Sequence, residues 1–213
     1  GFNSIGFDYP ILHALCRMGQ ANARTLYDKA QAIIESQDDN RWMHMVKPAD
    51  RLADQLDLFL IHHFDNRARS TGLKVLEFNM RSDNISDLPF PVGTMLTQDQ
   101  VPVLKRYNRH DVLQTKQFYH HSTESIRFRE ELTARYQRDF MNHNDTKIGK
   151  DYFVMELEAA GVVCYDYGPQ GRTPRQTRRP SIALRDAILP WIAFQEPEFQ
   201  RVLEWLKEQT ITE

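Results

Sequence analysis

Apolar residues along this chain fall mostly three and four apart, the spacing of one helix face, and less often in short unbroken runs. Ile11, Leu12, Leu15 and Met18 predict a first helix, with Asp8 placed to cap it, Pro10 in its opening turn and Gly19 closing it. A second runs from about Asn22 to Ser36 on Leu26, Ala30, Ile33 and Ile34, after which the polar residues Gln37 to Asn40 turn the chain. Leu73, Leu76 and Met80 mark a short helix after Gly72. Thr97-Gln98-Asp99-Gln100 has the form of a capping box, and Pro102 fits a first turn best with Asp99 as the cap. The helix that begins there carries Val101, Leu104, Tyr107, Val112, Thr115 and Phe118 on one approximate stripe. The pattern continues through Ile126, Phe128, Leu132 and Tyr136, with a break near His120 and His121. Further helices are predicted over 148–157 and from Pro197, where Phe199, Val202, Leu203 and Leu206 keep one face.

The unbroken or alternating runs predict strands. Gly1 to Phe7 is a short apolar run that ends in Asp8, and Trp42 to Val46 alternates until Lys47-Pro48 stops it. Leu56 to Ile61 is compact enough for a buried strand, a length that leaves helix open. Gly161 to Tyr165 reads as a strand, and an alternating β-branched run starts at Thr210. Between them Gly168 to Pro180 holds Arg172, Arg175, Arg178 and Arg179 with no acid, in a setting of Gly, Pro, Gln and Thr, which predicts an exposed basic loop. A soft boundary falls between residues 122 and 142, giving segments 1–122 and 123–213.

Composition narrows the class. With 213 residues, 41% of them hydrophobic and 26% charged, the chain can bury a sizeable core. No apolar run approaches the roughly 18 residues that cross a bilayer, and no charged-then-apolar leader is present, so the expectation is a cytoplasmic protein without membrane contact. A net charge of -2 argues against a body that only coats nucleic acid and leaves any such contact local. Cys16 and Cys164 lack a Cys-x-x-Cys spacing, which argues against thiolate zinc and for reduced packing residues, with a disulfide between them left open.

Candidate chemistry sits in two places. Tyr107 and Asp111 are four apart and so share one side of a helix, on or beside its buried stripe. An acid there needs a partner, which can be an arginine, a backbone cap or a metal ion. Asp8 stands at a strand-to-helix junction, where its simplest role is the cap. The histidine pairs His62-His63 and His120-His121 lack a metal-ligand spacing and read as surface or capping groups. No nucleophile elbow surrounds a serine, and Gly168-Pro169-Gln170-Gly171 has no Lys-Ser or Lys-Thr after it, so a phosphate loop is excluded.

Taken together, these residues form a resemblance. Asn3-x-x-x-Phe7-Asp8 resembles the second motif, and Tyr107-x-x-x-Asp111 the third, of the ribonuclease H-like proofreading exonucleases that accompany DNA polymerases. The stretch from Leu73 to Asn79, then Ile85 to Pro89, then Tyr107 to Thr115, is similar to the amino-terminal region of phage DNA polymerases of family B character. The resemblance implies an α/β, ribonuclease H-like fold over 1–122, lacking its first strands, and a mainly helical connecting region over 123–213 that leads toward a polymerase domain. It implies two Mg²⁺ or Mn²⁺ ions held by four carboxylates, because a metal pair activates water and neutralises the leaving oxygen of a phosphodiester. By the same resemblance Asp8 and Asp111 are metal ligands and Tyr107 positions the attacking water, while Asn3 and Phe7 support the turn and the bound strand.

The family's first motif, Asp-x-Glu, lies upstream of the second, and this sequence starts after the place where it would fall. Two of the four carboxylates are thus absent, and the expectation is that this polypeptide binds the ion pair poorly and leaves DNA uncut unless the missing strand is supplied. Glu77 and Asp65 are poor substitutes, the first in a helix-like stretch and the second with nothing to position it. The expected function is a fragment of a DNA polymerase with part of its 3′-5′ exonuclease, acting on a single-stranded 3′ end and on primer-template DNA, with replication proteins as further partners. The alternative is a non-catalytic module on the same frame. It would hold single-stranded DNA or a replication partner through Arg172, Arg175, Arg178 and Arg179.

Overall fold

The structure is a computed structural model that describes residues 1–20, 22–36, 42–66, 68, 70–169, 171–176 and 178–212. The turn predicted at Gln37 to Asn40 lies outside the described residues. The chain mixes helix with small sheets and divides into two compact units, Gly1–Tyr152 and Phe153–Glu213. The junction at Ser122 lies inside the first unit, where it separates two consecutive helices.

In the first unit the helices are α1 (Asp8–Arg17), α2 (Ala23–Glu35), α3 (Leu58–Ile61), α4 (Leu73–Asn79), α5 (Val101–His121) and α6 (Thr123–Tyr136). A seventh, α7 (Asp145–Ala159), starts there and ends in the second unit. Asn22 caps α2 by accepting the Thr25 N–H, which is what an Asn at that position does for an unpaired first-turn donor. Pro102 stands in the first turn of α5, as expected. Gln100 directly precedes the helix, and its side chain accepts the Thr97 N–H at 3.0 Å, the return bond of the expected capping box, while the Thr97 hydroxyl donates to Asp99 instead of capping the helix. Ser122 ends α5 and opens α6, its hydroxyl donating to the Phe118 carbonyl at 2.9 Å.

Leu58, Ile61, Leu76, Phe118 and Ile126 make the core of this unit, with Phe2, Phe64 and Met80 against it. Phe2 meets Phe59 edge to face at 5.2 Å, and His62 lies 4.9 Å from the Phe118 ring. Burying five such side chains contributes about 1.5–3 kcal/mol each before entropy is counted.

Three predicted strands of this unit are not strands. Leu58–Ile61 is a short helix because the Asp57 side chain caps it, accepting the Phe59 N–H at 3.1 Å. Ahead of α1 the chain turns instead of extending: Asn3 has φ 56°, in the left-handed region, and Phe7 N–H donates to the Asn3 carbonyl at 3.0 Å. The N–H groups of Asn3 and Ile5, which a neighbouring strand would otherwise take, go to the buried Asp57 carboxylate at 2.7 and 2.9 Å. Trp42 to Val46 is likewise a turn, closed by Met45 N–H on the Trp42 carbonyl.

Among the described residues every strand lies in the second unit, so the ribonuclease H-like sheet expected over 1–122 has no counterpart in the first. Strands β1 (Tyr165–Gly168) and β2 (Gly171–Pro174) pair antiparallel, Tyr165 opposite Pro174 and Gly168 opposite Gly171. The strand predicted from Gly161 starts only at Tyr165, since Gly161 at φ 81° ends α7 in the way a left-handed glycine closes a helix. Strands β3 (Ser181–Ala183) and β4 (Thr210–Thr212) form a second antiparallel pair, and α8 (Leu184–Ala187) and α9 (Pro197–Glu208) fill the connection between them.

Candidate functional site

The packing of α4 on α5 brings polar side chains together that are more than thirty positions apart. Lys74 and Glu77, one turn apart on α4, face Tyr107, His110 and Asp111, one turn of α5. Glu77 is completely buried. Lys74 Nζ donates to Glu77 Oε1 at 3.1 Å and to Asp111 Oδ1 at 2.9 Å, and it stands 4.9 Å from the centre of the Tyr107 ring. The other oxygen of Glu77 lies 3.1 Å from His110 Nε2. Both oxygens of the buried acid are thus partnered, which is what makes its burial tolerable.

The charges act on one another. Burial pushes the Tyr107 phenol above its ordinary value, the Asp111 carboxylate pushes it further, and the Lys74 ammonium opposes both. Burial pulls Lys74 down, but its hydrogen bonds to Asp111 and Glu77 and their charges outweigh that, so its ammonium is held above the ordinary lysine value. The result is a phenol kept protonated beside a carboxylate and a lysine kept charged between two.

Glu77, His110 and Asp111 each offer a ligand atom, and these atoms lie within 4.8 Å of one another, so the trio could hold a metal ion. The donor set fits one ion. It does not fit the pair that the exonuclease resemblance implies, because Asp8 is not among the carboxylates grouped with Asp111.

Asp8 opens α1, on the same turn-and-loop assembly as Asp57. It keeps contact with solvent, yet the protein packed around it pushes its carboxyl above the ordinary value, and the Asp57 charge pushes it further. Asp57 is itself raised by burial, against the three backbone N–H groups it accepts. Asn3 and Phe7 build the turn ahead of α1: Asn3 supplies the left-handed residue and Phe7 precedes the helix without a side-chain cap.

The arginines belong to the second unit. Arg172 lies in β2 with its guanidinium 4.6 Å from the Tyr165 ring centre, and Arg175 is 3.8 Å from Asp166. Arg178 and Arg179 are exposed in the connection to β3. Half of the predicted basic loop is therefore hairpin. The histidine pairs hold structure: His62 Nε2 is 2.8 Å from the Ser122 hydroxyl, His63 Nδ1 is 3.1 Å from Asp65, and His120 and His121 end α5 on its exposed side. Cys16 and Cys164 are free thiols, and Cys16 is exposed rather than packed.

The i, i+4 spacing is enough to find Tyr107 and Asp111. It does not reach Lys74 or His110, and Glu77, set aside above as a poor substitute acid, joins Asp111 because α4 packs on α5. The one available signal is an acid next to the core residue Leu76 in a helix too short to hide it alone. Compared with protein-family models, with curated proteins and with solved structures, the chain matches none.

Proposed function

We propose that this chain is part of a phage-type DNA polymerase and carries a portion of its 3′-5′ exonuclease. The observation that supports this reading is the meeting of the Tyr107 phenol with the Asp111 carboxylate on one turn of α5, beside a buried second acid. A phenol that stays protonated donates a hydrogen bond, and next to an ionised carboxylate it orients a water whose proton the carboxylate attracts. Lys74 supplies positive charge where a scissile phosphate would bring negative charge. Glu77, His110 and Asp111 could hold a single ion, and such an ion would polarise a phosphoryl oxygen. The two-ion arrangement of the resembled family requires carboxylates beyond this trio.

A second reading, a non-catalytic module that holds single-stranded DNA, draws on the exposure of Arg172, Arg175, Arg178 and Arg179. One experiment separates the two, made in the complete polymerase with a labelled primer. Under the nuclease reading Asp111→Asn lowers 3′-5′ degradation by about 100-fold or more while primer extension continues. Replacing the four arginines by glutamine together then weakens DNA retention but leaves cleavage in measurable form. Degradation that survives Asp111→Asn overturns the nuclease assignment.

A further inference from the structure

We infer that Glu77, His110 and Asp111 form a one-ion site for a divalent transition metal, Mn²⁺, Co²⁺ or Zn²⁺ in preference to Mg²⁺, and that the Lys74 ammonium occupies that site as a built-in substitute cation. This deepens the nuclease reading, on which its use by the protein rests, but it concerns metal choice and is measured without DNA.

The first support is burial. Glu77 has no exposed surface, and a carboxylate so placed requires a cation. Lys74 provides it from a side chain that keeps 30% exposure and an open route to solvent. The ammonium is not tied to one partner: it bridges Oε1 of Glu77 and Oδ1 of Asp111 at 3.1 and 2.9 Å, the central position between the two acids.

Charge is the second support. Two carboxylates and one ammonium leave a net negative charge in a half-buried place, and a divalent ion in the same seat cancels it. Geometry agrees. Three ligand atoms about 2.1 Å from a tetrahedral ion stand about 3.4 Å apart. Those of the trio lie within 4.8 Å of one another, so a side-chain closure of up to about 1.4 Å completes the site.

His110 decides the metal. Mg²⁺ takes oxygen ligands in near-ideal octahedra, whereas an imidazole nitrogen with two carboxylates suits the later first-row ions. In the present arrangement His110 Nε2 faces Glu77 Oε2 at 3.1 Å and donates its proton there. To ligate, that nitrogen gives up its hydrogen bond to Glu77 and presents its lone pair to the ion. Lys74 leaves as the ion enters, and its flexible stem swings to solvent.

The test is titration of the 213-residue protein with Co²⁺ in DNA-free buffer, followed by visible absorption and calorimetry, with circular dichroism to check folding. We expect one Co²⁺ per chain and no displacement of it by Mg²⁺ at comparable concentration. Lys74→Met removes the competitor and tightens binding about 10-fold. His110→Ala loosens it by about 10-fold or more and changes the absorption bands. Should Lys74→Met fail to fold, the comparison of wild type with His110→Ala carries the test alone. A folded wild type that takes up no Co²⁺ or Mn²⁺, or uptake that His110→Ala leaves unchanged, overturns the proposal. Co²⁺ uptake in a polymerase that lacks exonuclease activity overturns the nuclease reading and leaves this site standing. Exonuclease activity without Co²⁺ uptake does the reverse.

Discussion

Asp57 and Asp8 are two acids near one another, and their environments treat the charged form alike. Both carboxyls are raised, each first by the protein that crowds out water, and Asp8 also by the Asp57 charge. An acid with a folded-state value above its unfolded one binds its proton more tightly in the folded protein. Its ionisation therefore weakens folding at neutral pH. That handicap is relieved as the pH falls through the raised folded value toward the ordinary 3.8. We expect Asp8→Asn to favour folding more at neutral pH than near pH 3.8 when chemical denaturation is followed at both. A benefit equal at the two pH values, or larger in acid, would contradict the raised carboxyl. Such an acid is also one that a bound cation would relieve.

Between elements Arg129 on α6, 1% exposed, makes a buried tie. Its guanidinium donates to the Ser125, Ile61 and His143 carbonyls at 2.8, 3.2 and 2.7 Å, and to the Asp145 carboxylate at 2.7 Å. It thereby joins α3, α6 and the start of α7. Arg129→Lys keeps the charge but not the planar fork, and should cost about 3 kcal/mol in a urea unfolding experiment. Asp145 is 87% exposed on its side chain, so Asp145→Asn should cost under about 1 kcal/mol. Equal losses in the two variants would mean that the ion pair, and not the carbonyl contacts, carries the tie. Long periodic elements of this kind were readable from the sequence: α2, α5 with Pro102 in its first turn, the break at Ser122, and α9 all stand where the apolar spacing places them. Short runs were not, because six apolar residues carry no period long enough to separate strand from helix, and at Leu56 to Ile61 the Asp57 cap decides. The site divides the same way. Tyr107 and Asp111 follow from spacing along one helix, whereas Lys74, Glu77 and His110 join them only through tertiary packing.

Over the whole molecule the two units differ in how much they bury. The first holds the cluster around Leu58 and Phe118, while in the second Tyr165 and Leu203 are the buried hydrophobics among the described residues, and Tyr167, Trp191, Phe199 and Trp205 are each more than half exposed. Little buried apolar area means a low cost of opening. Amide hydrogen exchange should therefore release the hairpin of β1 with β2, and the backbone of α9, well before α5 and α6. Equal protection across both units would show a stability in the second that its own packing does not supply. The Asp57 assembly has a further bearing, on the order in which this chain folds. Asp57 takes N–H groups from Asn3 and Ile5, 54 and 52 positions away, and its own N–H goes to Asn142, 85 positions on. Contacts of such span close late and slow the rate. During synthesis the segment before α1 lacks its acceptor until Asp57 has been made, and Phe2 lacks its packing partners until Phe118 and Ile126 follow; for that interval Phe2 is open to aggregation or to a chaperone.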